Sequence, residues 1–114
     1  MAAPRPSPPT LSLLPRQETV GLSLSGRIEP VDLAGLCERT AELVQGLTPS
    51  PILCDVGGVI RPDAVTVDAL ARLQLTLRRR GHLLHLEEVS PELRELLELT
   101  GLDDILPCRR SREP

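Results

Sequence analysis

ILCDVGGVIRPDAVTVDALARL, residues 52–73, contains the transition that decides the fold. It opens with residues 52–56, a short apolar run between a proline and a glycine pair, which is typical of a strand buried on both faces. Within residues 65–80 aliphatic residues recur at helical spacing, arginines close the run where cations favour a helix C-terminus, and Gly81 supplies a stop. A buried strand followed by an amphipathic helix predicts an α/β fold.

The upstream residues predict a hairpin and a first helix. Residues 11–14 and 19–25 are strand-like runs separated by a polar turn, and the second run alternates apolar with small or polar residues. In residues 31–45 the apolar positions again follow helical spacing, with Pro30 or Asp32 placed to begin the helix. We therefore expect two antiparallel strands before the first helix.

The downstream residues predict a further strand and a third helix. Residues 82–86 form a short apolar run, and Ser90 is placed as an N-cap with Pro91 at the first helical position. That helix is expected to end near Gly101, before a last short strand at residues 105–106. The predicted architecture is α/β: a small mixed sheet of about four to five strands with three helices, the later strands being parallel.

Length and composition limit the organisation to one domain. The 114 residues include no Phe, Tyr or Trp, so the core must be aliphatic and base stacking on aromatic rings is excluded. A net charge of -3 gives no general attraction to polyanions, and nucleic acid is not an expected partner. We predict a flexible Pro-rich tail at 1–10, a domain at 11–107 and a basic tail at 108–114.

Cysteine usage and the apolar runs point to a cytoplasmic protein. Three widely spaced cysteines without a CxxC pair predict neither a disulfide framework nor a zinc site. No metal is expected, and no cofactor is expected either. The first ten residues lack the apolar run of a signal peptide, and no stretch approaches the roughly 20 residues of a membrane span. Direct membrane insertion is not expected.

Four local patterns resemble one known family. They are LSLSGRIEP at 22–30, the quoted stretch at 52–73, RRRGHLLHL at 78–86 and SPELRELLELTGLDDILP at 90–107. In this order they resemble the STAS family (sulfate transporter and anti-sigma factor antagonist) over about residues 11–107, as a stand-alone antagonist-like protein. Glu29 stands where the family more often has Asp.

The resemblance implies a regulatory module, not an enzyme, that docks on a protein partner, commonly a serine kinase of the anti-sigma type. The family's switch is phosphorylation of the first Ser in an Asp-Ser-Ser-Gly turn. Asp63, Ala64, Val65 and Thr66 match that turn, so the phosphoacceptor is replaced by Ala64 and the standard switch should be absent. Thr66 is an alternative acceptor, although a Thr at a helix start is more often a cap.

The expected partner-binding surface lies around the start of the second helix. Strand ends and helix N-termini share one edge of such a sheet, and the added phosphate of the family's switch would alter that edge by roughly two charges. Asp63 fits two roles there, a partner contact or an N-cap. The predicted surface consists of Gly26, Glu29, Arg61, Asp63, Ala64, Thr66 and Asp68.

Two other functions have support in the family resemblance or in particular residues. STAS-like subunits also accompany lipid-transport ATPases of the ABC type, and the sequence does not distinguish that role. Asp55 at a strand end resembles the nucleophile of haloacid-dehalogenase-type phosphatases, with Asp103 and Asp104 as metal ligands; however, Gly57 stands where a second Asp is needed and no Lys is present. Asp55 is better explained as a carboxylate that accepts hydrogen bonds from backbone donors.

Two further residue patterns give little support for a catalytic or phosphate-binding site. Cys54 with His82 or His85 would pair a nucleophile with a base, but a Cys within an apolar run is more often a small buried hydrophobic residue. Residues three apart on a strand point to opposite faces, so the two histidines cannot form one metal site. The glycines at 57–58 do not have the spacing of a phosphate-binding loop, so a tight turn is the expected explanation.

Overall fold

The computed structural model describes residues 8–14 and 19–109, so most of both predicted tails and the predicted hairpin turn lie outside the described residues. The secondary structure elements are the strands β1 (Thr10–Leu14), β2 (Val20–Gly26), β3 (Pro51–Val59) and β4 (Leu83–Glu87), the helices α1 (Leu33–Leu43), α2 (Ala64–Arg78) and α3 (Pro91–Thr100), and a 3-10 turn (Pro30–Asp32).

The strands form one four-stranded sheet in the order β1-β2-β3-β4. β1 is antiparallel to β2, while β2, β3 and β4 are mutually parallel. The predicted mixed sheet with three helices, including the N-terminal hairpin pairing, is confirmed. Because β2 and β3 run in the same direction, their carboxyl ends lie at the same edge of the sheet.

The core is aliphatic, as the composition requires. The inward-facing residues of β2, β3 and β4 are almost fully buried against apolar stripes of the helices, at roughly 1.5–3 kcal/mol for each fully buried large side chain. These side chains include Leu22, Leu24, Ile52, Val56, Leu84 and Leu86 from the sheet, and Leu70, Leu73, Leu77, Leu93 and Leu97 from the helices.

The helix ends follow the predicted signals. The Ser90 hydroxyl accepts a hydrogen bond from the Leu93 N–H at 3.2 Å, and Gly101 takes the left-handed conformation (φ 73°) that ends α3. Helix α2 ends at Arg78, two residues earlier than predicted, and left-handed Gly81 follows it.

The predicted turn at Gly57 and Gly58 is wrong, because β3 continues through both glycines to Val59. Here β3 has one residue more than β2: Ser23 pairs with Asp55, but Ser25 pairs with Gly58. A Cβ on Gly58 would lie 2.7 Å from the Cβ of Ser25. The strands therefore approach so closely at this bulge that a side chain on residue 58 would force them apart.

The predicted last strand at residues 105–106 is also wrong. Those residues lie in a turn, and the chain instead meets β4 slightly later, where Leu86 forms a parallel bridge with Cys108. The Leu86 N–H donates to the Pro107 carbonyl at 2.8 Å, and the Arg109 N–H donates to the Leu86 carbonyl at 2.6 Å. Two consecutive apolar residues do not contain enough information to predict which residues pair with β4.

A buried glutamine side chain forms hydrogen bonds with the same edge of β4, at Leu84. The Gln74 side chain accepts a hydrogen bond from the Leu84 N–H at 2.8 Å and donates to the carbonyls of Leu84 (3.1 Å) and Ile105 (2.7 Å). Gln74 thus joins α2 to β4 and to the C-terminal turn. Together with the bridge at Leu86 it gives the outer edge of β4 internal partners, which blocks pairing with another chain there.

Candidate functional site

The ends of β2 and β3 form a rim that carries the predicted docking residues. Gly26 pairs with Val59, and the Ile60 N–H donates to the Gly26 carbonyl at 2.9 Å. The loop after β2 and the loop that leads into α2 are therefore hydrogen-bonded to each other. The structure brings the two predicted segments, 26–29 and 61–68, to one edge of the sheet.

Asp63 and Thr66 form a reciprocal capping box at the start of α2. The Asp63 carboxylate accepts from the Thr66 N–H at 3.1 Å, and the Asp63 N–H donates to the Thr66 hydroxyl at 3.2 Å. This arrangement satisfies two backbone donors that a helix start would otherwise leave open. The Thr66 side chain is fully buried. Asp63 has the N-cap role foreseen for it, and its contact with a partner stays a prediction.

The other predicted residues on this segment are exposed. Ala64 is the first residue of α2 and is open to solvent. Asp68 lies one turn further on and forms an exposed ion pair with Arg72 at 3.1 Å. Arg61 is exposed in the loop before the helix. A molecule approaching the start of α2 meets these side chains first.

Glu29 and Gly26 shape the neighbouring loop. Glu29 precedes the 3-10 turn, where its backbone carbonyl accepts from the Asp32 N–H at 2.9 Å and its own N–H donates to the Asp32 carboxylate at 2.9 Å. Gly26 has a φ of 96°, and a Cβ there would lie 3.1 Å from the Cα of Pro9. Both residues therefore have structural roles, whatever else they contact.

Two exposed aliphatic residues on this rim were not predicted. Ile60 keeps 56% of its surface exposed, and Val31 in the 3-10 turn keeps 69%. The available signal was position: Ile60 follows the end of a strand and precedes an Arg-Pro turn, where burial is not expected. The sequence analysis placed the strand at residues 52–56 and did not include Ile60 in the predicted docking surface.

Arg61 has a left-handed backbone with φ of 49°, which a residue with a Cβ rarely adopts. Replacing Arg61 with Gly should raise the free energy of unfolding by about 0.5–1 kcal/mol, because the relieved strain exceeds the added entropy of the unfolded chain. Urea unfolding measures the difference. Arg80→Gly removes another exposed arginine where φ is not positive and should not stabilise. Equal destabilisation by both substitutions would contradict this account.

The residues considered for catalysis have structural explanations. The Asp55 carboxylate accepts from the Gly57 N–H at 2.8 Å, the backbone-capping role expected for it. Burial, with smaller contributions from the charges of Asp55 and Glu87, raises the pKa of the Cys54 thiol to about 12, so it is protonated and not nucleophilic near neutral pH. Residues 8–14 and 19–109 contain no cluster of three potential metal ligands.

The two histidines do not complete a site with Cys54. His82 is buried just before β4, not within it as predicted, and its Nδ1 lies 3.3 Å from the Ser50 backbone nitrogen and 3.1 Å from the Ser50 oxygen. His85 is half-buried within β4. His82 therefore joins two loops of the fold.

A cleft of about 450 Å³ lies between the start of β1 and helix α1. Its charged lining residues are Asp32 and Arg39, and the Arg39 Nε donates to the Leu11 carbonyl at 3.4 Å. The Asp32 carboxylate accepts from the Glu29 N–H, so both charged residues of the cleft have hydrogen bonds to backbone groups. None of the helices among the described residues combines the length and the hydropathy of a membrane-spanning segment.

Solved structures with this fold include named anti-sigma factor antagonists. One from Mycobacterium paratuberculosis is 23% identical, with a TM-score of 0.69 over 88% of this chain and 84% of that chain. An anti-sigma-factor antagonist (STAS) domain protein from Planctomyces limnophilus is 19% identical, with a TM-score of 0.68 over 90% and 91%. The antagonist SpoIIAA in its unphosphorylated form is 19% identical, with a TM-score of 0.66 over 91% and 90%.

The sequence comparisons give the family. A search of curated proteins found no match. A family model described as "Mlab, STAS domain" matches residues 15–107, which is most of the chain. The matched residues include the strands β2, β3 and β4 and all three helices of the described structure. With a four-stranded mixed sheet and three helices in the matching order, the chain belongs to the STAS domain family.

Proposed function

We propose that this protein is a non-catalytic docking module, similar to an anti-sigma factor antagonist, whose binding is not switched by phosphorylation. The observation that carries the proposal is Ala64, exposed at the first position of α2. The resemblance aligns the phosphoacceptor of the family with this residue. The methyl group of Ala64 cannot form a phosphate ester, so the surface keeps one charge state.

The geometry of the rim supports a docking role. The 26–29 loop and the start of α2 are hydrogen-bonded through Gly26 and Ile60, and the capping box fixes the first turn of α2 before any partner arrives. A preformed surface loses little conformational entropy on binding. The proposed partner is a protein, in the first place a GHKL-type serine kinase that acts as an anti-sigma factor. No cofactor is required.

A second candidate is an accessory subunit of an ABC-type lipid transport system. The same observation favours it, because a permanent subunit needs no phosphoacceptor at Ala64. Both candidates place the protein in the cytoplasm, and the free thiols of Cys37, Cys54 and Cys108 support a reducing compartment.

A binding panel tests the proposal and separates the two partners. The purified chain is titrated with each GHKL-type kinase and each ABC ATPase subunit from its own host, one at a time. Saturable binding to a kinase supports the antagonist role, and binding to an ATPase subunit instead supports the transport role. The proposal is wrong if none of these purified proteins binds.

Thr66 should carry no phosphate in protein purified from its own host. Its side chain is fully buried, and its hydroxyl lies 3.2 Å from the Asp63 N–H and 3.3 Å from the Asp63 carboxylate. Phosphorylation there would require the first turn of α2 to open and a dianion to be accommodated next to a carboxylate. Intact-mass measurement followed by peptide mapping checks this, and stoichiometric phosphate on Thr66 would contradict it.

A further inference from the structure

The acidic side chains Asp32, Asp63 and Asp68 near the rim have hydrogen-bond or ion-pair partners within the chain. The carboxylates of Asp63 and Asp32 accept backbone hydrogen bonds, and the carboxylate of Asp68 pairs with Arg72. Each acidic side chain is thus held within the fold.

The arginines of the two rim loops differ from these acids. Arg27 and Arg61 are exposed, and neither has an ion-pair partner among residues 8–14 and 19–109. They follow Gly26 and Ile60, the two residues that the rim hydrogen bond joins at 2.9 Å. Two guanidinium groups therefore flank one fixed point on a chain whose net charge is -3.

Exposed apolar surface accompanies these two arginines. Ile60 immediately precedes Arg61, and Val31 lies in the turn that follows the loop carrying Arg27. Protein interfaces characteristically combine an apolar centre with a charged rim, and complementary charge speeds the encounter of the partners. An exposed aliphatic residue next to arginines without ion-pair partners among the described residues matches an anionic surface that also offers an apolar contact.

We infer that the partner docks here through a carboxylate-rich surface around an apolar patch, with Arg27 and Arg61 as the cationic contacts and Ile60 as the apolar anchor. This inference rests on the proposed docking function and adds the chemistry of the partner. Arg61 lies in the short loop between the rim hydrogen bond and the start of α2, and Arg27 lies between that hydrogen bond and the buried Ile28. Contact with Ile60 excludes water from the interface, which strengthens the pairing of the two arginines with the carboxylates of the partner.

The test uses whichever purified kinase or ATPase subunit binds the wild-type chain in the panel. Arg27→Glu and Arg61→Glu should each weaken binding by about tenfold, mainly through a slower association rate, and raised salt should weaken wild-type binding more than variant binding. Ile60→Ser should also weaken binding by about tenfold, through faster dissociation. Arg80→Glu makes the same charge change beyond the other end of α2 and should alter affinity less than about twofold.

Arg61→Gly and Arg61→Lys separate charge from folding. The Gly variant should be at least as stable as the wild type yet bind more weakly, whereas the Lys variant keeps the charge and most of the affinity. If a partner binds the wild type but both charge reversals leave its affinity unchanged or increase it, the inference is overturned while the docking function stands. If no member of the panel binds the wild type, the docking function fails and this inference fails with it.

Discussion

Replacing Ala64 with Ser should turn this chain into a kinase substrate whose partner affinity falls by about 100-fold once it is phosphorylated. Residue 64 is exposed and lies at the start of α2, where a phosphate finds free backbone N–H groups and the positive end of the helix dipole. The added charge of roughly two is then presented at the centre of the docking surface. Incubation with the bound kinase and ATP, followed by mass measurement and titration, tests both steps.

Ala64→Glu tests the same effect without a kinase. An acidic side chain in the first turn interacts favourably with the positive end of the helix dipole, so the free energy of unfolding should be unchanged or up to about 1 kcal/mol higher. Binding should nevertheless weaken by about tenfold or more, because a carboxylate replaces a methyl group against the proposed anionic partner surface. Gln45→Glu adds the same charge at an exposed site after α1 and serves as the control. Unchanged binding of both the phosphorylated Ser variant and the Glu variant would exclude residue 64 from the interface.

Gln74→Leu should be the most destabilising single substitution proposed for this chain, at about 3 kcal/mol or more. Leu has a similar volume, but it leaves the N–H and carbonyl of Leu84 and the carbonyl of Ile105 without the partners that Gln74 provides. Each buried polar group left without a partner costs about 1–3 kcal/mol. The total is a large fraction of the roughly 5–15 kcal/mol that stabilises a domain. Chemical denaturation measures the loss.

Gln45→Leu is the matched control, because Gln45 is exposed and the same change there should cost less than about 0.5 kcal/mol. Similar small losses for both variants would mean that water readily replaces the Gln74 contacts. A large loss confined to Gln74→Leu would confirm that this side chain joins α2 to the sheet edge.

Most of the fold was predictable because its signals are local. The α2 stripe containing Leu70, Leu73 and Leu77 is set by helical spacing, and Ser90 with Pro91 marks a helix start through backbone chemistry alone. These elements formed where expected. The incorrect predictions concern residues whose conformation depends on contacts with segments that are distant in the sequence.

The glycine pair illustrates such an error. Nothing adjacent to Gly58 in the sequence reveals that Ser25 approaches it closely across the sheet, so a Gly-Gly pair was interpreted as a turn. Likewise, the apolar residues at 105–106 suggested a strand, whereas the backbone of Leu86 bonds to residues 107 and 109. Cross-strand contacts of this kind are set by register, which short segments do not specify.

The candidate site was predictable in position but not in chemistry. Parallel strands place their carboxyl ends at one edge, so the proximity of Gly26 to the start of α2 followed from the order of the elements. The Asp63–Thr66 spacing is that of a capping pair, and the N-cap was foreseen as one of two roles for Asp63. The exposure of Ile60 and the left-handed conformation of Arg61 depend on the path of one loop, which residue types alone do not determine.

The central claim is that the partner binds the rim formed by the β2 loop and the start of α2. The most direct measurement is an NMR titration of the isotope-labelled chain with the purified kinase or ATPase subunit that binds it. The account predicts that backbone amide shifts change at residues 26–31 and 60–68 and remain constant at 78–81, beyond the other end of α2. Shift changes concentrated at 78–81 or along β1, with the rim unaffected, would contradict it.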